Sequence, residues 1–458
     1  MRSIDSPGAQ RRRRRRSGRR WQPPQFILAG FAAAVLIGTG LLMLPIAKAG
    51  PGGTDLITAF FHAASSICVV GLSTVDTGSY WSLFGQLVIL LMVQVGGFGI
   101  MAFASLLGVL VARRLGLRSR LTAAAETRND GVGGVRGLLI RVAVVGLTVE
   151  LISTVILTIR FLTGYHYSFG KALYHGIFHS IAAFNNAGFA LRPDNLTAFV
   201  GDPWICVTVV VAVLLGSLGF PVLFELRREF FSPADWSIHT KITVVMSAVL
   251  FVLGALFLTI TEWTNPDTLG ALDPGGRILA GIFQSVSLRT AGFNSVDIGA
   301  MHPGTWLGMD VFMFIGGGSA GTSGGIKVTT FAVLLFVIVA EVRGDRTVHA
   351  FDRRISSRTA RQAITVALLS VAAVVISTIV LVQITRFSTD RVLFEVVSAF
   401  GTTGLSTGIT GQLPGVGLIL LTVLMFLGRL GPVTLVSALA LRDSERRYEY
   451  PEGRPLIG

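Results

Sequence analysis

Eight apolar runs, separated by polar or basic stretches, divide the chain: Phe26–Leu44, Leu83–Val111, Leu138–Leu162, Trp204–Phe224, Ile242–Ile260, Trp306–Ala340, Ile364–Ile384 and Val416–Ala440. Crossing the ~30 Å hydrocarbon core takes about 20 helical residues at ~1.5 Å each, so each run predicts a membrane-spanning helix. Between the two runs of each successive pair lies a half-apolar segment too short to cross. It predicts a helix that enters the bilayer and returns. The chain therefore reads as span, short helix, loop, span, four times over.

The short segments end alike. The first reads Phe61-His62 through Ser65-Ser66-Ile67-Cys68-Val69-Val70-Gly71-Leu72, and the second runs from Phe178-His179 to Asn185-Asn186-Ala187-Gly188-Phe189. The third contains Phe283-Gln284 and Arg289-Thr290-Ala291-Gly292-Phe293, and the fourth runs from Phe394-Glu395 to Gly401-Thr402-Thr403-Gly404-Leu405. A Phe precedes the glycine by ten positions in repeats one, two and four and by nine in repeat three. Gly71, Gly188, Gly292 and Gly404 recur at near-equal intervals along the chain. Two crossings per unit give all four units one orientation, so they can surround a single axis normal to the membrane. Non-helical backbone at membrane depth survives only inside protein or beside a water-filled path. Four Gly-containing strands meeting at an axis can replace the hydration shell of a cation with carbonyl oxygens. One such glycine alone would read as a helix-packing point; four at a shared position do not.

Composition agrees. Apolar residues make up 51% of the chain and charged residues 14%, against roughly 25% charged in soluble proteins. Of 39 basic residues 29 fall in Arg2–Arg20, Arg113–Arg141, Arg227–Lys241, Arg343–Arg361 and Arg442–Arg454, which are alternate connections. The positive-inside rule then places these, and both termini, in the cytoplasm. The opposite connections carry Asp76, Asp194, Asp202, Glu262, Asp267, Asp273 and Asp297. The Arg-rich stretch Arg2–Arg20 suits a disordered tail on the inner leaflet better than a nucleic-acid arm. With Ala47-Lys48-Ala49 after the first run it imitates a secretory signal, but that run exceeds the usual length of about 7–15 residues. Cys68 and Cys206 have no paired spacing, and no nucleophile elbow, Walker loop or HExxH helix is present, which argues against an enzyme.

Trp306–Ala340 is too long for one span, and its middle, Gly316–Gly325, is mostly glycine. Each interior Gly costs a helix roughly 1 kcal/mol against Ala, so the stretch should unwind just after the third filter. The alternatives are a gate and a kink packed against neighbours; a kink needs fewer glycines. Arg429 lies in mid-helix, where an Arg costs ~2.5–3.5 kcal/mol on insertion, and should face the pore rather than snorkel. For Lys327, snorkelling and gating both stand. His175 and His179 are four apart, yet His62 shares the repeat position of His179, which favours packing over metal ligation. Arg289 should point away from the axis and pair with an acid, with Glu395 as the candidate.

The filter strings, together with Gln94-Val95-Gly96-Gly97-Phe98-Gly99, Phe314–Lys327 and Phe426-Leu427-Gly428-Arg429-Leu430-Gly431-Pro432, make the chain resemble the membrane subunit of the Ktr/Trk/HKT superfamily of potassium transporters, most like its KtrB branch. The match covers nearly all of Trp21–Arg442. The resemblance implies that the stretch Gly316, Gly317, Gly318, Ser319, Gly321, Gly324 and Gly325, with Lys327 and Arg429, gates the pore. It also implies a homodimer with a cytosolic nucleotide-binding (RCK-type) regulatory ring. In plant relatives Ser for the first filter glycine goes with sodium, so four glycines favour potassium.

The expected protein is thus an all-α membrane protein of four membrane–pore–membrane repeats around a pseudo-fourfold pore in a bacterial plasma membrane. Repeats cover residues 25–112, 113–225, 226–341 and 342–442, with tails at 1–24 and 443–458. Backbone carbonyls of Val69, Val70, Asn186, Ala187, Thr290, Ala291, Thr402 and Thr403, with Gly71, Gly188, Gly292 and Gly404, would hold K+. No cofactor is expected in this chain, nor nucleic acid; Na+ is a candidate coupling or activating ion. The rival, a secondary transporter for an organic solute coupled to Na+ or H+, predicts two inverted halves instead.

Overall fold

The computed structural model describes residues 23–114 and 134–431. The Arg-rich tail, the C-terminal tail, most of the Arg113–Arg141 connection and the last apolar run beyond Gly431, Pro432 included, lie outside the described residues. So do both termini.

Four units repeat one order. The first comprises α1 (Pro23–Leu42), α2 (Leu56–Ile67) and α3 (Leu83–Arg114), and the second α4 (Gly134–Tyr165), α5 (Phe169–Phe184) and α6 (Pro203–Leu218). A short α7 (Phe220–Glu229) leads to the third: α8 (Ile238–Glu262), α9 (Pro274–Ser287) and α10 (Pro303–Phe314). After α11 (Val328–Arg343) and a hairpin, β1 (His349–Ala350) with β2 (Arg353–Arg354), the fourth unit is α12 (Ser357–Ile384), α13 (Thr389–Gly401) and α14 (Gly415–Leu430). Local chemistry sets many helix starts. Asp55 Oδ2 accepts from Thr58 N at 2.9 Å, Asp273 Oδ2 from Gly275 N at 3.1 Å, and Ser356 Oγ from Thr359 N at 3.1 Å. Pro203, Pro274 and Pro303 stand in first turns, where no backbone N–H is needed.

The middle helix of each unit is the buried one. Phe61, Phe178, Phe283 and Phe394, the residues that recur in sequence, are all buried to within 2%. Their neighbours His62, His179, Gln284 and Glu395 are buried too. The flanking helices are apolar outward: Ile37, Leu91, Leu151, Ile260, Leu368 and Ile376 are all well exposed, at 61% or more. Large exposed aliphatic side chains on every flank suit hydrocarbon, not water. A polar-lined centre inside an apolar jacket is the arrangement the fourfold pattern predicts.

Span limits differ from the hydropathy reading. Among the described residues, three helices are by themselves long and apolar enough to cross: Leu139–Tyr165, Ile238–Glu262 and Ser357–Ile384. The run Trp204–Phe224 is not straight but bends by 103° between α6 and α7. The break is Gly219, at φ 90°, a conformation that L side chains rarely adopt. Gly431 ends α14 with nearly the same backbone, φ 83°. The run Trp306–Ala340 splits into α10 and α11, as the glycines predict. Hydropathy reports only how apolar a stretch is, and the break at Gly219 lies within an apolar run.

Candidate functional site: four strands at one axis

Each buried helix delivers its C-terminus to a short strand; three of the turns share one backbone, and in the third Ser287 O accepts also from Ala291 N, at 3.1 Å. Val70 N donates to Ser65 O, Ala187 N to Ala182 O and Thr403 N to Ser398 O, all at 2.8 Å, and Gly292 N to Ser287 O at 3.4 Å. This is the six-to-one closing bond of a Schellman-type helix end. Donor and acceptor stand at the same two positions after the recurrent Phe in all four repeats. The glycine falls one step earlier in repeat three, so there the glycine itself donates. The residue two before each glycine is left-handed: Val69 (φ 53°), Asn186 (58°), Thr290 (70°) and Thr402 (52°). The glycines follow with φ 96° at Gly71, 65° at Gly188, 73° at Gly292 and 92° at Gly404. A left-handed non-glycine residue costs about 1–2 kcal/mol. Four such residues at one repeat position mark a geometry that the surrounding structure holds in place.

The strands close a ring in sequence order. A Cβ at Gly71 would run into Ala187 O, with Gly188 Cα at 3.0 Å; at Gly188 it would meet Gly292 Cα at 2.9 Å and Ala291 O at 3.0 Å. At Gly292 it would run into Thr403 O, with Gly404 Cα at 3.2 Å, and at Gly404 into Val70 O, with Gly71 Cα again at 3.2 Å. The carbonyls before the four glycines therefore alternate with the glycines of the neighbouring strands. Val69, Val70, Asn186, Ala187, Thr290, Ala291, Thr402 and Thr403 are all buried. Each ring position also receives a helix C-terminus, whose partial negative charge favours a cation.

Above the ring lies a cavity of about 390 Å³ whose lining includes all four glycines, Asp76, Asp297, Ser406, Thr410 and Arg192. Of the acids expected on this face, Asp76 and Asp297 line the cavity. Others are committed elsewhere: Asp202 pairs with Arg160 at 2.7 Å, Asp194 with Arg192 at 2.9 Å, and Glu262 is buried, accepting from Thr268 Oγ1 at 2.7 Å.

On the other side of the ring the segment between α10 and α11 fills the centre. Gly316 N donates to Ile326 O at 2.8 Å and Val328 N to Gly317 O at 3.1 Å, which closes its neck. Three further bonds hang the loop on broken helix ends: Gly318 N to Ser217 O (2.8 Å), Thr322 N to Gly216 O (3.1 Å) and Gly325 N to Gly428 O (3.2 Å). A Cβ at Gly324 would strike the Thr402 side chain, and Thr322 Oγ1 lies 3.2 Å from the Asn186 side-chain amide. The loop thus touches the left-handed residues of two strands. Arg429, 2% exposed, donates to Thr322 O and, at 3.2 Å, to Gly96 O. Lys327 folds back to donate to Ser323 O.

A model of the TrkH cation transport proteins matches residues 35–449. This chain belongs to that family. It is 39% identical over 441 residues to the Ktr system potassium uptake protein B of Bacillus subtilis, covering 96% of this chain and 97% of that one. It is 36% identical over 436 residues to the protein of the same name from Vibrio alginolyticus, covering 95% of each, and 32% identical over 453 residues to the potassium/sodium uptake protein NtpJ of Enterococcus hirae, covering 97% and 99%. The crystal structure of the potassium transporter TrkH from Vibrio parahaemolyticus superposes with a TM-score of 0.71 at 17% identity, over 93% of this chain and 87% of that one. The fold is therefore the four-repeat membrane–pore–membrane arrangement of the TrkH family, a family of transport proteins and not of enzymes.

One feature of the repeat escaped the sequence reading. Each unit carries a glycine at the same distance from the start of its outer helix: Leu83 to Gly96, Pro203 to Gly216, Pro303 to Gly316 and Gly415 to Gly428. In units one, two and four a Cβ there would strike the carbonyl of Ile67, Phe184 or Phe400, each one helical turn before its ring glycine. In unit three the same glycine begins the central loop. Aligning the outer helices as well as the inner ones would have found it. A second omission is Glu150, buried in α4, which accepts from Gln94 Nε2 at 2.9 Å and Asn185 Nδ2 at 3.2 Å. The cluster fastens the second strand to two flanking helices. Its members lie far apart along the chain, so no local pattern announces it.

The expected pairing of Arg289 with an acid is wrong. Arg289 does turn away from the axis, but it donates to Ser247 O at 3.0 Å and Ser247 Oγ at 3.2 Å on α8. Glu395 is occupied instead by Thr407 N at 3.0 Å, Thr410 Oγ1 at 2.8 Å and Ser406 Oγ at 2.5 Å. Neutral donors of its own strand reach it first. Nδ1 of His62 lies 3.0 Å from Thr58 O and Nδ1 of His179 2.8 Å from His175 O. Both rings cap their own helix turns, and no cluster of three metal-ligating side chains occurs among the described residues.

Proposed function

We propose that this chain takes up potassium across a bacterial plasma membrane, selecting the ion at the ring of Gly71, Gly188, Gly292 and Gly404. The observation that carries the reading is the closed order of that ring. Four carbonyls, from Val70, Ala187, Ala291 and Thr403, stand beside the glycines of neighbouring strands, and four helix C-termini point at them. Such a ring replaces water around a monovalent cation without a charged side chain, so the ion is held and released again. Potassium follows from the names of the relatives and from glycine at all four positions; the NtpJ name keeps sodium as a second candidate ion. Gly316–Gly325 obstructs the path below the ring, with Arg429 and Lys327 holding it closed. A homodimer, regulated by a cytosolic nucleotide-binding ring on the basic face, completes the working unit, with both termini cytoplasmic. A carrier built from two inverted halves does not suit four units of one order.

The test is growth. A bacterium lacking its own potassium uptake, expressing this chain with a matching cytosolic subunit, should grow at low potassium, and repeating the experiment without sodium shows whether sodium is needed. Normal membrane expression with no growth and no potassium flux would overturn the reading.

A further inference from the structure

A large cavity lies away from the axis, at the basic end of the second and third units. About 1310 Å³ in volume, it is formed by the start of α4, by α7, by the turn into α8 and by the β1–β2 hairpin. Small-molecule pockets run to about 300–1,000 Å³, so this one is large for a free phosphate or a metabolite. Its wall is apolar toward the bilayer, through Ile140, Val144, Val145, Phe224 and Ile238. Ile140 and Val144 are both more than half exposed, on a helix long and apolar enough to cross a membrane.

Its rim is charged, with six basic residues against four acids. Two of the acids are already engaged. Glu225 accepts from Ser237 Oγ at 2.7 Å and Thr240 Oγ1 at 2.6 Å, and Glu229 pairs with Arg228 at 2.6 Å. Asp235 and Asp352 remain on the rim. Arg227, Arg353 and Arg354 are exposed and make no ion pair among the described residues. Trp236, half-buried between rim and wall, donates its indole N–H to Glu229 O at 2.8 Å, as an interfacial Trp does.

We propose that this cavity binds an anionic phospholipid, its acyl chain along Val144 and Phe224 and its phosphate at Arg227, Arg353 and Arg354. An apolar wall continuous with the bilayer, a basic rim at headgroup height and a Trp between them are the complement of such a lipid. The site joins the second unit to the hairpin that follows the third.

The experiment is native mass spectrometry of the full-length protein in detergent, with phosphatidylglycerol or phosphatidylcholine added. Wild type should retain phosphatidylglycerol in preference. The triple variant Arg227→Gln/Arg353→Gln/Arg354→Gln should lose on the order of a hundredfold in affinity, at about one kcal/mol per basic residue. The triple Lys variant should restore most of it. Brominated phosphatidylglycerol in vesicles should quench Trp236, read as wild type minus Trp236→Phe, and this arm needs no charge variant to fold. Equal retention of both lipids, an unaltered triple Gln variant, absent quenching, or a cross-link showing a second copy or a soluble partner in the cavity would each overturn the proposal. All of these readouts are binding, so they stand or fall separately from potassium uptake.

Discussion

Replacing the four ring glycines by Ser should produce graded and not equal damage. Two terms set the grade. The first is backbone strain: Gly188 and Gly292, at φ 65° and 73°, lie where Asn186, Thr290 and Thr402 already sit, whereas Gly71 and Gly404, at 96° and 92°, lie beyond it. Strain should be ~1–2 kcal/mol in the first pair and nearer ~3 kcal/mol in the second. The second term is collision. At Gly71, Gly292 and Gly404 the new Cβ would overlap the carbonyl oxygen of the next strand, but at Gly188 the nearest atoms stand no closer than 2.9 Å. A collision with backbone is relieved only by moving that carbonyl, and about 1.4 kcal/mol lost from one ion and not the other is tenfold in preference. Gly188→Ser should therefore be the mildest of the four, since its Cβ still presses on Gly292 Cα at 2.9 Å but displaces no carbonyl as far as the others do. Gly71→Ser and Gly404→Ser should lose at least tenfold in preference, with Gly292→Ser between. The measurement is potassium and sodium flux into proteoliposomes, normalised to protein amount. Wild-type preference in all four variants would refute the ring, and a reversed order, with Gly188→Ser the worst, would refute the geometry.

That ordering could not be read in the sequence, although the ring itself could. Glycine recurrence and the preceding Phe are local and periodic, so the four strands, the buried helices and the unwound loop were legible residue by residue. Neighbour relations around the axis were not: that Gly71 faces Ala187 and Gly404 faces Val70 depends on assembly. The same limit explains Arg289. A cation three residues before Gly292 would compete with the ion, so Arg289 is expected to point away from the axis, but its partner, Ser247, lies on another helix, far from it along the chain. The bend at Gly219 was hidden differently, since an apolar helix and an apolar break have the same hydropathy. Only the match of Gly216-Ser217-Leu218-Gly219 with Gly428-Arg429-Leu430-Gly431 would have exposed it.

Three further outcomes are expected. With the basic connections cytoplasmic, Asp267→Cys, an exposed site, should react with an impermeant thiol reagent in intact cells and Arg353→Cys should not; the reverse would invert the topology. Gly428→Ala and Gly216→Ala press a methyl group on the carbonyls of Phe400 and Phe184, and overpacking of this kind costs about 1–3 kcal/mol, read as lower thermal stability in detergent; unchanged stability would deny the close approach. The last outcome concerns Arg429. At the position where the other three outer helices carry Gly97, Ser217 and Gly317, only this unit places a cation, and its guanidinium reaches both Thr322 O of the loop and Gly96 O of the first unit. Under the proposed gate it anchors the loop and sets a positive charge beside the ion's route. Arg429→Ala should raise basal potassium flux, because both effects favour opening. Shortening Gly316–Gly325 should raise it as well and weaken dependence on the cytosolic subunit. The two changes should not add, since residues of one network do not contribute independently: once the loop is shortened, its anchor has little left to hold. Protein amount and oligomeric state must match wild type before fluxes are compared. With assembly normal, an unchanged or lower flux in the shortened loop would mean that its glycines serve packing, and full additivity would mean that Arg429 acts on the ion alone.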